Sequence, residues 1–259
     1  MIPEAASLHV FWEHIYRYHF AANYVKGKDV LDIACGEGYG AAAFARNGAK
    51  RVVEVDISLE ACNHARTKYG IEALVGDATS IPIPDESIDL VVSFETIEHI
   101  SKPENFMVEC GRVLRRGGMI IISTPNRDIY RKRCQDNKFH VAEMNFSEFD
   151  EICKNHFRSV KYFTQHPFMA PCWSNRVLAA DNLISNPRHF VNRAFRLIRR
   201  ILVRSGSSSR TIRYRGIPID AILDRKHKLF DCFNQYLVRP LSTSAPEEPL
   251  FYLAVGSKP

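Results

Sequence analysis

Apolar residues recur along this chain with two different periods. Leu8, Phe11, Trp12, Ile15, Tyr18 and Ala22 stand three or four positions apart, the spacing of one helix face, and predict a helix over 7–25. Beyond Asp29 the apolar residues gather into short runs rich in Val and Ile, separated by stretches of helical period. These read as strand 29–34, helix 38–48, strand 51–55, helix 58–68, strand 72–75, strand 88–94, helix 103–115 and strand 118–123. Runs without polar alternation are strands covered on both faces, and strand–helix alternation at this period predicts a doubly wound, mostly parallel α/β sheet. Pro103 after Lys102 marks the first turn of one helix. Ser147 is the expected N-cap of another helix through Lys154, with Asp150 in the acidic position of a capping box. A strand over 158–164 and a last one over 250–256 complete the pattern.

Residues 167–249 form a segment that such a sheet does not require. The expected organisation is one domain, 1–166 plus 250–259, with a basic helical insertion or lid that is not an independent domain. The legible part of the insertion is Arg188–Arg204. At about 100° per residue, Phe190, Val191, Ala194, Phe195, Leu197, Ile198, Ile201 and Leu202 share one side, six arginines occupy the other, and no acid intervenes. Three readings stand: a helix lying on a membrane surface, a site for a phosphate-bearing or acidic acceptor, and a helix packed on the core with a solvated basic face. Ser205–Ser209 reads as a flexible joint after it.

Composition narrows the class mainly by exclusion. Those six arginines equal the net charge of +6, so the rest of the chain is balanced, and without interleaved stacking aromatics the basic residues give no support for nucleic-acid binding. The seven cysteines, at 35, 62, 110, 134, 153, 172 and 232, are scattered, odd in number and form no Cys-x-x-Cys pair. They argue against a disulfide framework and a structural zinc site, and the expected metal content is none. No apolar run approaches the ~18 residues of a membrane span, and Met1-Ile2-Pro3-Glu4 carries no basic segment followed by an apolar one. A cytoplasmic protein is expected, peripheral to the inner face of the membrane on the first reading of the basic helix.

The chemistry begins at Val30–Gly40. A strand ends, Gly36, Gly38 and Gly40 follow at every second position, and Ala41, Ala42 and Ala43 open a helix. Glycines at a strand-to-helix turn permit positive φ and let a ligand approach the main chain, while the first N–H groups of the helix stay unpaired. Gly36, Gly38 and Ala41 fit the dinucleotide pattern G-x-G-x-x-A, and Asp56 follows Gly36 by twenty positions at the end of the next apolar run. A carboxylate there is placed to accept hydrogen bonds from the two ribose hydroxyls of an adenosine. Ligands of such sheets bind outside the carboxyl ends of the strands, and Asp32, Asp56, Asp77 and Glu95 all fall at or just after those ends. Asp32 reads as a group that orients the glycine loop through backbone N–H groups. Asp77 also suits a turn cap before Ala78-Thr79-Ser80, Cys35 a small packed thiol, and Asp85, Glu86 and Asp89 a solvated turn without a role.

Taken together, LDIACGEGYG, VVEVDIS, GDATSIPIPDESIDLVVSFETIEHI and VLRRGGMIIIS, in this order, resemble the class I S-adenosylmethionine-dependent methyltransferases, in particular their small-molecule, type 11 branch. The resemblance covers roughly residues 10–165. It implies a Rossmann-like, seven-stranded sheet with an antiparallel last strand, and S-adenosyl-L-methionine as cofactor. It places the cofactor against Tyr16, Arg17, Asp32, Ala34, Gly36, Gly38, Asp56, Ile57, Asp77, Ala78 and Phe94, with Asp77 at the adenine amino group and Phe94 and Glu95 lining the methionine side. The preceding helix covers the cofactor in such enzymes, so Arg17 would pair with the methionine carboxylate by a two-pronged hydrogen bond; a solvated arginine is the competing reading.

The segment Asn137–Met144, with FHVAEM at its end, is similar to the N-P-x-H-V-x-E-[FM] stretch of bacterial methyltransferases associated with glycan and cell-surface polysaccharide modification, Lys138 replacing the proline. His140 is therefore the first candidate for a base, since imidazole titrates near neutrality; a structural histidine bonded to a loop carbonyl is its rival. His99 and Glu95 complete the catalytic candidates, and capping or packing is the alternative for His99.

The function expected is transfer of a sulfonium methyl group to an oxygen, or less readily nitrogen, nucleophile of a small-molecule or glycan acceptor. O-methylation of a sugar or polysaccharide precursor comes first and a lipid or quinone-type acceptor at the membrane surface second. An NAD-dependent oxidoreductase would share the glycine loop and Asp56 but not the GDA block or a closing antiparallel strand. A noncatalytic methyltransferase-like partner protein would keep the cofactor site without acceptor chemistry.

Overall fold

A computed structural model describes residues 8–36, 38–133, 139–165, 213–214, 217–218, 238–241 and 249–259. The predicted basic helix 188–204 and the joint after it lie outside the described residues. The chain divides into two compact units, Met1–Pro167 with Tyr236–Pro259, and Phe168–Gln235.

In the first unit α1 (Leu8–Ala21) precedes β1 (Asp29–Ile33), α2 (Tyr39–Arg46), β2 (Arg51–Asp56), α3 (Leu59–Tyr69) and β3 (Glu72–Val75). Then come β4 (Ile88–Phe94), a 3-10 turn at Ile97–His99, α4 (Pro103–Val113), β5 (Leu114–Pro125), α5 (Arg127–Arg133), α6 (Phe146–His156) and β6 (Arg158–Gln165). The described part of the second unit is a short antiparallel hairpin of β7 (Arg213–Tyr214) and β8 (Ile217–Pro218). The chain returns to the first unit with β9 (Arg239–Pro240) and β10 (Phe251–Ser257).

The sheet runs β3-β2-β1-β4-β5-β10-β6-β9. β1 to β5 pair in parallel, and β10 inserts antiparallel between β5 and β6, as the closing strand was expected to do. Eight strands stand where seven were expected. The additional one is β9, two residues paired with Phe163 and Thr164 at the sheet edge. So short a strand leaves no period to read, and Pro240 is tolerated at an edge because its missing N–H would have faced away from the sheet. β1 is buried at all five positions and β4 at six of seven, which is why their sequences carry no polar alternation. The chain winds outward from β1 through β2 to β3, then returns to β4 on the other side of β1. The loops after β1 and β4 therefore diverge, and a crevice opens between their carboxyl ends.

Three local expectations are corrected. The cap of α6 is Asn145, not Ser147: Asn145 Oδ1 accepts from Glu148 N at 3.0 Å, and Glu148 Oε2 accepts from Asn145 N at 2.8 Å. The helix starts two residues early because Phe146 packs its ring against Tyr162 and Tyr252, 5.1 and 5.2 Å between centroids, and so belongs to the helix rather than the loop. α5 stands where the sequence pattern gave no helix, and its buried Ile129 packs with Leu250 and Phe251. Asp89 has a role after all: Oδ2 accepts from Asp29 N at 2.9 Å and Oδ1 receives the Arg115 guanidinium at 2.6 Å, which ties the starts of β1 and β4 together.

Candidate functional site

The crevice has two sides, each built from residues at strand ends. On the first side β1 stops at Ile33 and the backbone turns sharply, with φ of 56° at Ala34, 60° at Gly36 and 86° at Gly38. Gly38 is the N-cap of α2 and has no side chain to satisfy the first N–H groups of that helix. A Cβ on Gly38 would lie 2.7 Å from Ala65 Cβ, so glycine is required there for packing as well as for conformation.

Asp56 holds this loop in place. Its Oδ2 accepts from Gly36 N and its Oδ1 from Ser58 N, both at 2.9 Å. The loop-orienting role expected of Asp32 thus belongs to Asp56, because the end of β2 brings the Asp56 carboxylate level with the turn. Each carboxylate oxygen keeps a further lone pair, enough for a vicinal diol. Asp32 instead lies fully buried beneath the loop, where Oδ1 accepts from Tyr18 Oη at 3.4 Å and Oδ2 has no partner among the described residues.

Beside Asp32 lies Glu54, fully buried, with the Cys35 thiol as the polar group next to its carboxyl. Burial pushes its carboxyl up to about 8, and burial followed by the proximity of Glu54 holds Asp32 well above the usual carboxylate range. Glu54 sits in an apolar run, and only the three-dimensional fold shows that its side chain points inward.

The helix that covers the loop is α1, and the side chain that touches it is Tyr18. A Cβ on Gly40 would lie 2.0 Å from Tyr18 Cε1, and the Tyr18 ring meets Tyr39 and Phe94 edge-on at 5.5 and 5.1 Å. Tyr16 is buried, its ring beside His19. Arg17 is buried as well, which removes the solvated reading. Its Nη1 donates to Gln165 Oε1 at 2.8 Å and its guanidinium lies 4.4 Å from the Phe251 ring centroid, while Nε and Nη2 have no partner among the described residues. Those anchors set Arg17 over the ends of β6 and β10, across β4 from the glycine loop.

Beyond Asp56, Ile57 stands 76 % exposed, an apolar surface next to the carboxylate. Asp77 Oδ1 accepts from Thr79 N and Thr79 Oγ1, each at 2.7 Å, so the turn-capping reading holds and one oxygen is left over. Ala78, next along the chain, packs against the core.

The second side follows β4. Glu95 has φ of 54°, and its Oε1 accepts from Ser123 Oγ at 3.0 Å. Glu98, in the 3-10 turn, is fully buried: Oε2 accepts weakly from Thr124 Oγ1 at 3.5 Å, and Oε1 has no partner among the described residues. The Glu98 carbonyl accepts from both Val141 N and Ala142 N at 2.9 Å, which fastens the 139–144 segment to this turn. His99 Nδ1 lies 2.8 Å from the Phe139 carbonyl, and His140 Nδ1 lies 2.9 Å from Glu143 Oε1. Glu143 Oε2 in turn receives Arg131 Nε at 2.6 Å.

The two imidazole rings meet edge-on, 4.8 Å between centroids. Burial raises Glu95, and burial followed by Glu95 raises Glu98 well above the usual range. His140 thus bonds a carboxylate, and His99 is the histidine bonded to a loop carbonyl. The three catalytic candidates do come together, with Glu98, Glu143, Ser123 and Thr124 as members that the sequence reading missed. One ligand atom each from Glu98, His99 and His140 lies within 4.8 Å of the others, a juxtaposition that the spacing along the chain does not announce. The only available signals were the i, i+3 spacing of Glu95 and Glu98 and the same spacing of His140 and Glu143.

The donor set of the first side fits an adenosine-bearing ligand: a glycine cradle, a carboxylate with spare lone pairs, an exposed apolar face and unpartnered N–H groups. Residues 31–122 match the family model described as a methyltransferase domain. Over 145 residues the chain is 39 % identical to a protein of Mycolicibacterium smegmatis named "probable S-adenosylmethionine-dependent methyltransferase", covering 55 % of this chain and 56 % of that one. It is 31 % identical over 134 residues to a fatty-acid O-methyltransferase of the same organism, covering 49 % of each. The chain spans about half the length of these curated relatives. An S-adenosylmethionine-dependent methyltransferase of Archaeoglobus fulgidus shares the fold, with a TM-score of 0.56 at 16 % identity over 97 % of this chain and 100 % of the other.

Proposed function

We infer that this chain, a class I S-adenosylmethionine-dependent methyltransferase by its domain and its fold, transfers the sulfonium methyl group to a hydroxyl of a small-molecule acceptor. The observation that carries the reading is the pairing of the two sides of one crevice: a glycine cradle held by Asp56, and across β4 a cluster of carboxylates and imidazoles. S-adenosyl-L-methionine supplies an already activated methyl group when bound. Asp56 would hold its ribose hydroxyls, Gly36 and Gly38 its approach to the main chain, and Ile57 and Asp77 its adenine. Arg17 offers its unpartnered N–H groups to an anionic group above Phe251. What the chain itself contributes is alignment of the acceptor oxygen with the methyl carbon and disposal of the hydroxyl proton among Glu95, Glu98, His99 and His140.

A sugar hydroxyl, free or in a polysaccharide precursor, is the acceptor this reading puts first. It is supported by the FHVAEM resemblance and by the polar character of the Glu95–His140 side. A lipid acceptor is the second reading, favoured by the fatty-acid O-methyltransferase among the relatives. A noncatalytic partner role would leave the Glu95–His140 cluster, with the buried Glu98 at its base, without a task.

The test is calorimetric titration with S-adenosylhomocysteine, followed by mass-spectrometric search for a methylated product with sugar and fatty-acid panels. Absence of binding to both S-adenosylmethionine and S-adenosylhomocysteine at ~1 mM, an affinity weaker than about 4 kcal/mol, would remove the reading. A product found only among the fatty acids would exchange the first acceptor for the second.

A further inference from the structure

We propose that Glu98, His99 and His140 form a binding site for one divalent transition-metal cation, which also takes a hydroxyl oxygen of the acceptor as a ligand. The site itself stands on geometry; only the place of the acceptor rests on the methyl-transfer reading above.

Both histidines are set for ligation in the same manner. His99 Nδ1 is 2.8 Å from the Phe139 carbonyl and His140 Nδ1 is 2.9 Å from Glu143 Oε1. A carbonyl can only accept, so Nδ1 of His99 carries the hydrogen; the Glu143 carboxylate, itself gripped by Arg131, draws the hydrogen of His140 to the same position. With the hydrogen held on Nδ1, Nε2 is the nitrogen each ring offers to a cation, the usual arrangement of ligating histidines whose far nitrogen is anchored by a carboxylate or carbonyl.

The third donor is the independent sign that something belongs there. Glu98 is fully buried, yet Oε1 has no partner among the described residues. A buried carboxylate oxygen is normally satisfied, and a cation is the partner that would satisfy it. The ligand atoms of the three residues lie within 4.8 Å of one another, close enough for one ion to contact all of them after small rotations. The backbone holds them in place: Glu98 and His99 share a single turn, and the Glu98 carbonyl accepts from Val141 and Ala142, which bracket His140 to that turn.

Two imidazole nitrogens with one carboxylate oxygen suit borderline cations such as Zn²⁺, Co²⁺, Mn²⁺ or Fe²⁺, rather than Mg²⁺ or Ca²⁺, which favour oxygen alone. Three protein ligands leave coordination positions open, as catalytic sites do. An acceptor hydroxyl in such a position becomes more acidic. Its proton passes to the Glu95 carboxylate, the oxygen lone pair forms the bond to the methyl carbon, and the carbon–sulfur bond breaks with both electrons going to sulfur, which leaves as a neutral thioether. His140 is then a ligand and not the base.

The experiment is a Co²⁺ titration of the full chain after removal of metal with chelator, followed by visible absorption and by calorimetry. Wild type is compared with Glu98→Gln, His99→Ala and His140→Asn, and S-adenosylhomocysteine binding is measured on the same samples. The expected result is one equivalent of Co²⁺ with ligand-field bands in the visible, weakened at least ~10-fold in each variant, with S-adenosylhomocysteine affinity unchanged. His99 is exposed, so His99→Ala keeps the fold even if the buried variants do not, and thermal melting verifies this. No saturable Co²⁺ binding to wild type, or equal binding by wild type and His99→Ala, overturns the site. Co²⁺ binding without S-adenosylhomocysteine binding upholds the site and removes the methyl-transfer reading instead.

Discussion

Glu54→Gln should make the protein more stable at neutral and mildly alkaline pH while changing little at pH 4.5. Glu54 lies fully buried in β2 with the Cys35 thiol beside it, and burial outweighs that contact and pushes its carboxyl from 4.5 up to about 8. Between those two values the folded chain keeps a proton that the unfolded chain has released. Stability therefore falls as pH rises through the window; below about 4.5 both states are protonated, and above about 8 both are ionised and the loss is complete. The difference of 8 − 4.5, or 3.5, corresponds to roughly 5 kcal/mol across the window, and about 3 kcal/mol of it is lost by pH 7.

Gln has the same shape and does not ionise, so it removes this slope and leaves the other titrating groups in place. The measurement is urea unfolding by circular dichroism at pH 5, 6, 7 and 8 for both proteins, with the difference between them plotted against pH. A difference that grows in favour of the variant by on the order of 4 kcal/mol from pH 5 to 8 is expected. Parallel curves would show that Glu54 does not hold its proton in the folded state and would refute the reasoning. Asp32→Asn should act in the same direction, and the double variant should gain less than the sum, because the Glu54 carboxylate contributes to the raising of Asp32.

Gly40→Ala should destabilise the protein by about 1–3 kcal/mol by driving the Tyr18 ring off the glycine loop, and equal urea midpoints for variant and wild type would contradict that packing. Asp56→Ala should weaken S-adenosylhomocysteine binding by at least ~10-fold in calorimetry, because it removes both the ribose acceptor and the group that orders Gly36, at a cost of the order of 1.5–3 kcal/mol for a charged acceptor. Asn145→Ala should cost about 1 kcal/mol in thermal unfolding while Ser147→Ala costs almost nothing, and the reverse order would return the cap of α6 to Ser147.

The amino-acid order by itself determined the elements whose cause is contiguous. The apolar runs became β1 to β6 to within about two residues at most boundaries, β10 closed the sheet antiparallel, and the glycine spacing became a turn with positive φ at Gly36 and Gly38. The placement of Asp56 next to the glycine turn was legible for the same reason, since it closes the strand that lies beside that turn. What only the tertiary structure decided is every feature that depends on which distant segments meet. Tyr18 reaches the glycine loop because α1 packs against α2 and the end of β4, a meeting of segments distant in the chain. Glu54 is buried because β2 is covered on both faces, a fact invisible in a run where one acid interrupts three valines. Glu98, His99 and His140 become one cluster because the Glu98 carbonyl pairs with Val141 and Ala142 across a loop. Backbone period and turn chemistry are properties of neighbours in the chain, whereas burial, tautomer and ligand geometry are set by neighbours in space.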